Sequence, residues 1–146
     1  MSPDTEASIY EQLEQVRQKL QISQTITLYQ LEQEEQPNAF ISFRDNEAHL
    51  VFCGPILKLL EPAELTALLA HELGHIKLYS IDNGDYHTTS RIVTAIANDS
   101  SSEGVFLETG RYYRLYTEIF CDRCALVVTG GERSSQSAVV NLERGR

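Results

Sequence analysis

The sequence predicts a mainly helical α+β domain that carries a small antiparallel sheet of about three strands. Three observations predict it. Apolar residues recur at helical spacing near the start of the chain, in its middle and again before residue 130. Between residues 25 and 53, three short runs rich in β-branched and aromatic residues are separated by polar breaks. At 146 residues and 42% hydrophobic content, one domain can bury a core without disulfide staples.

Residues 4–21 read as an amphipathic helix, with Ile9, Leu13, Val16 and Leu20 on one face and glutamines, glutamates and an arginine on the other. Ser8 with Glu11 resembles a capping box, and Asp4 is an alternative start. Thr25–Tyr29 alternates and reads as a strand, followed by the polar loop 32–37. Asn38–Phe43 and Ala48–Cys53 read as two further strands joined by a hairpin connection over 44–47. His49, inside the second of these, is expected to be structural. Gly54-Pro55 ends the strand, and a short helical turn over 56–60 leads to Pro62 and Glu64, a favourable start for a central helix running through Leu78. A turn-rich break at 81–85 precedes a helix over about 86–97. The polar loop 98–104 follows and is a candidate for mobility. A last helix spans about 105–128 and is stopped by Gly130-Gly131. Residues 1–130 are therefore expected to form the functional domain, and 131–146 a polar C-terminal tail.

Composition excludes several classes. A net charge of -9 argues against a nucleic-acid-binding surface, which would cluster lysine and arginine. No stretch approaches the ~20 apolar residues a membrane-spanning helix requires. The acidic N-terminus, with Asp4, Glu6 and Glu11, does not resemble a signal peptide. Three cysteines without a framework spacing point to a reducing compartment, so a soluble, cytoplasmic protein is expected.

The central helix holds the chemistry. His71 and His75 are four residues apart and project from one helix face, where two imidazoles can grip one metal ion. Glu72 sits about 100° around the helix, beside the metal's open position without being a ligand. This is the His-Glu-x-x-His pattern of zinc peptidases. A lone histidine on an apolar helix is usually a core residue, but this helix buries His, Glu and His among Leu65, Leu68, Leu69, Leu73 and Ile76. Buried polar groups need partners, and a metal supplies one. Gly74 costs about 1 kcal/mol against alanine in mid-helix, so it has a packing reason.

A catalytic zinc normally takes three protein ligands and one water. On the last helix, Glu118 and Asp122 share a face at i and i+4. If Glu118 binds the metal, Asp122 can accept the far N–H of a ligand histidine and fix its tautomer. The alternative is a solvated face paired with Arg114 or Arg123. Cys121 and Cys124 have a Cys-x-x-Cys spacing, but mid-helix they read as small core residues, as does Cys53.

Taken together, Pro37-Asn38-Ala39-Phe40, Leu57-Lys58-Leu59-Leu60, Glu64 through Ile76 and Glu118 through Arg123 resemble the HtpX-like and CAAX-prenyl-protease-like family of gluzincin zinc metallopeptidases. The chain looks like the soluble catalytic core of that family. The resemblance implies a zincin-like core and one zinc ion bound by His71, His75 and Glu118. It implies Glu72 as general base and acid in hydrolysis of a peptide or protein substrate, and Asp122 as buttress of a ligand histidine. Asn38, Ala39 and Phe40 resemble the edge strand that pairs with substrate backbone. For the oxyanion-stabilising donor, Arg133, Arg144, Arg146, Tyr112, Tyr113, Tyr116, Tyr86 and His87 are all candidates. Two rival readings stand beside this one. One is a latent or truncated module whose cleft is blocked by its tail or a partner and which acts by binding. The other is a purely structural zinc, disfavoured because such sites close with a fourth protein ligand.

Overall fold

A computed structural model describes residues 6–44, 47–99 and 103–130. The expected tail, the two residues at the tip of the hairpin and part of the expected mobile loop lie outside the described residues. So does the alternative helix start at Asp4.

Helix α1 (Ala7–Lys19) is followed by strands β1 (Ile26–Leu31), β2 (Asn38–Arg44) and β3 (Glu47–Cys53). The short helix α2 (Ile56–Leu59) leads into α3 (Pro62–Tyr79). A 3-10 turn at Ile81–Gly84 then precedes α4 (Asp85–Ala97) and α5 (Gly104–Thr129). Each expected element is present, and the fold is α+β. Pro62 opens the first turn of α3, where its missing N–H costs nothing. The Glu64 carboxylate accepts a hydrogen bond from the Glu61 N–H at 3.0 Å. At the other end of the fold, Gly130 adopts a left-handed φ of 71° and stops α5.

The sheet has the order β1-β3-β2. β2 pairs antiparallel with β3, from Asn38↔Cys53 to Arg44↔Glu47, as expected of a hairpin. One pairing differs from the antiparallel expectation: β1 lies parallel to β3, with Leu28 opposite Leu50. The connection from β1 to β2 therefore arches over the C-terminal end of β3 and crosses at Gly54. The Gly54 N–H donates to the Leu31 carbonyl at 3.0 Å, and a Cβ at Gly54 would stand 2.7 Å from the Glu34 carbonyl oxygen. Its φ of +58° is also one that side chains rarely adopt. Alternating side chains reveal which face a strand buries, but carry no information on strand direction.

Ala48, Leu50 and Phe52 point from β3 into the core, alongside Leu28 and Ala39, and all are 0–1% exposed. Behind this face runs α3, buried on nearly every side. Covering it are α1, through Leu13 and Val16, and α5, through Cys124, Ala125 and Val128. Lys19 donates to the Val128 carbonyl at 3.0 Å and ties the ends of α1 and α5 together. His49, on the opposite sheet face, rests its ring on Tyr29 with centroids 5.5 Å apart. The outcome is a helix carrying three polar side chains at the centre of the core, with β2 at the edge of the sheet beside it.

Candidate metal centre

Helix α3 places His71 and His75 one turn apart, with ring centroids 5.5 Å apart and planes at 75°. His71 and Glu72 are buried at 7% and 3% exposure, and His75 is half-buried. Helix α5 supplies the carboxylates. His71 Nδ1 meets Asp122 Oδ1 at 2.9 Å, and His71 Nε2 meets Glu118 Oε2 at 3.3 Å. A pair of donors on one zinc at bond lengths of about 2.0–2.1 Å and tetrahedral angles would be about 3.3–3.4 Å apart. One ion could join His71 and Glu118 across that separation, while the described donors that all lie within 4.8 Å of one another are those of His71, His75 and Cys121, without Glu118. Asp122 takes the other ring nitrogen, as a carboxylate behind a ligand histidine does.

The two helices approach this closely because Gly74 has no side chain. A Cβ there would lie 2.9 Å from the Cys121 Cα and 3.2 Å from its Sγ. The packing reason expected for Gly74 is therefore the contact with α5. Cys121 is fully buried, in keeping with a small core residue, and burial pushes its thiol pKa up. Sequence reasoning did not foresee its neighbours: the Cys121 Sγ and the donor nitrogens of His71 and His75 all lie within 4.8 Å of one another. The signal available for it was its position three residues beyond Glu118.

Toward its C-terminal end, α3 continues the same face with Tyr79, a second residue not anticipated. Its ring stands 6.1 Å from His75, 4.9 Å from His87 and 5.1 Å from Phe43 of β2. The spacing of 71, 75 and 79 carried that signal. The oxyanion candidates sort by position. Thr117 Oγ1 donates to the Tyr113 carbonyl and sits 2.7 Å from the Tyr86 hydroxyl, while the Tyr113 hydroxyl donates to the Tyr86 carbonyl at 3.1 Å. Tyr86 and Tyr113 are thereby engaged internally. Tyr112 and Tyr116 face outward, and Arg133, Arg144 and Arg146 lie outside the described residues. His87 packs beside Tyr79 and Phe43, on the wall that continues from His75.

The strand residues Asn38, Ala39 and Phe40 begin the edge strand β2. Ala39 is buried, Phe40 is 39% exposed, and the Asn38 side-chain oxygen accepts from the Ala39 N–H at 2.9 Å.

In the metal-free protein, burial alone would lower the His71 pKa. The hydrogen bonds to Asp122 and Glu118, with the charges of Glu72 and Glu118, outweigh burial and raise it to about 9. A raised folded-state pKa contributes stability that is present in full below the unfolded value of 6.5 and is lost as pH climbs through about 9. The apoprotein is therefore expected to lose about 3 kcal/mol of stability between those pH values, from this group alone. Urea denaturation of metal-free protein across that range checks it. A flat profile, or the same slope in Asp122→Asn, would remove His71 as the cause.

The model of peptidase family M48 matches residues 3–101, a span that holds the sheet and the His71–His75 helix and ends before α5. The plastoglobule-localized metallopeptidase 48, chloroplastic, of Arabidopsis thaliana is 31% identical over 115 residues. That alignment covers 75% of this chain and 33% of the relative, so the chain spans about a third of that relative's length. No solved structure matches the chain.

Proposed function

The chain belongs to peptidase family M48, and from that premise we propose that it is a zinc metalloendopeptidase acting on a peptide or protein substrate. The observation that most supports this reading is the meeting of His71 with Asp122, 51 positions downstream, and with Glu118 on the same helix. His71, His75 and Glu118 would hold the zinc. Zinc so held would acidify a bound water toward a pKa of about 7 and polarise the scissile carbonyl.

The chain's own residues do the rest. Glu72, buried beside His71, takes the proton of the attacking water and delivers it to the leaving amine. Asp122 holds the His71 Nδ1 proton, which leaves Nε2 as the metal-facing lone pair. Edge strand β2 offers backbone groups of Asn38, Ala39 and Phe40 to an extended substrate, with Phe40 as a side-chain contact. Among the described residues no helix is long and apolar enough to cross a membrane. All three cysteines are free.

Zinc content and cleavage of an unfolded protein substrate test the reading together. Wild type is expected to hold one zinc per chain and to cleave. Asp122→Ala is expected to lose about 10–100-fold in zinc affinity or activity, and Glu118→Ala to bind zinc more weakly still. Zinc without cleavage by wild type would favour the latent module. Absence of zinc from wild type would sink the site.

A further inference from the structure

We propose that Cys121 is a fourth protein donor to this metal, so that the site has a closed form made of two imidazole nitrogens, one carboxylate and one thiolate. The inference rests on the reading of His71 and His75 as ligands and adds a resting state to it. Among the described residues, the group whose donor atoms all lie within 4.8 Å is His71, His75 and Cys121. Donors on one tetrahedral zinc, with bonds of about 2.0–2.1 Å to nitrogen and about 2.3 Å to sulfur, stand roughly 3.3–3.6 Å apart. A shift on the order of 1 Å would therefore bring the sulfur onto the ion.

The fold holds the sulfur there. Cys121 is 0% exposed and lies against the backbone of α3 at Gly74, between the two histidines in sequence, where a Cβ would crowd the Sγ at 3.2 Å. Three residues from Glu118, it shares that residue's helix face, about 60° around the axis. Glu118 reaches His71 Nε2 at 3.3 Å, while the Cys121 sulfur groups with the donor nitrogens of both histidines.

Coordination exchanges the S–H bond for a sulfur–metal bond and releases the proton to solvent. With four protein donors no position is left for water, so the thiolate-bound form does not hydrolyse. Detachment of the sulfur, with return of a proton from solvent to the thiolate, would free the fourth position for water. Sulfur also biases the centre toward thiophilic ions, so cadmium is held more tightly relative to zinc than by two histidines and a carboxylate.

The test is optical and independent of activity. Metal-free wild type, Cys121→Ala and Cys124→Ala are each titrated with Co²⁺. A thiolate ligand gives a near-ultraviolet sulfur-to-cobalt charge-transfer band, whereas nitrogen and oxygen ligands give only visible ligand-field bands. Wild type and Cys124→Ala are expected to show the charge-transfer band, and Cys121→Ala to lose it while keeping the ligand-field bands. Visible bands alone in wild type would overturn the proposal and leave the peptidase-type site standing. A charge-transfer band that persists in Cys121→Ala would overturn it too, by assigning the sulfur elsewhere. Failure of wild type to bind cobalt would overturn both this inference and the metal site beneath it.

Discussion

Replacement of Glu72 by glutamine is expected to lower peptide hydrolysis by about 10²–10⁴-fold, the usual contribution of a positioned proton-transfer group, with zinc still bound. The amide has the size and shape of the carboxylate, so the packing of a residue only 3% exposed is kept. What disappears is the capacity to accept a proton. Zinc is expected to be retained because Glu72 points about 100° away from His71 around the helix. Metal content and turnover must be read on the same samples. Full turnover would remove Glu72 as the base. Loss of zinc would make it a ligand or a folding determinant instead.

Gly74→Ala is expected to destabilise the protein and to loosen the metal centre at the same time. On helix propensity alone alanine would add about 1 kcal/mol of stability. The new methyl group, however, would lie 2.9 Å from the Cys121 Cα, a backbone atom that can yield only if the helices part. Overpacking of this kind costs about 1–3 kcal/mol, which outweighs the propensity gain over most of that range. Parting α3 from α5 also draws His71 away from Glu118 and Asp122. A melting temperature several degrees lower, with weaker zinc binding, is the expected pair of results. A higher melting temperature would show that the contact between the helices is looser than the structure has it.

These two expectations come from different kinds of information. Glu72 was legible in the sequence as the candidate general base, because its relation to His71 and His75 depends only on helix period. The spacing of four residues and the apolar surroundings, Leu65 to Ile76, are local properties that survive into the fold unchanged. Gly74 was legible only as an anomaly. That it faces Cys121 could not be read from either helix alone, since the contact joins positions 47 apart and depends on how α3 and α5 cross. The pairing of Glu118 with Asp122 was likewise visible as two carboxylates on one face, with a solvated alternative beside it. The structure turned that face toward His71.

By itself, the sequence determined the helices and strands, the pairing of His71 and His75 on one helix face with the neighbouring glutamate, and the face of α5 that carries Glu118 and Asp122. Each follows from side-chain periodicity within one element. Tertiary structure alone decided that β1 runs parallel to β3, that Asp122 takes Nδ1 of His71 and Glu118 its Nε2, and that the Cys121 sulfur stands beside both histidines. Those outcomes depend on where the chain crosses itself, at Gly54 and at Gly74. In both places what matters is the close approach of distant backbone, which the side-chain pattern of a single element does not encode.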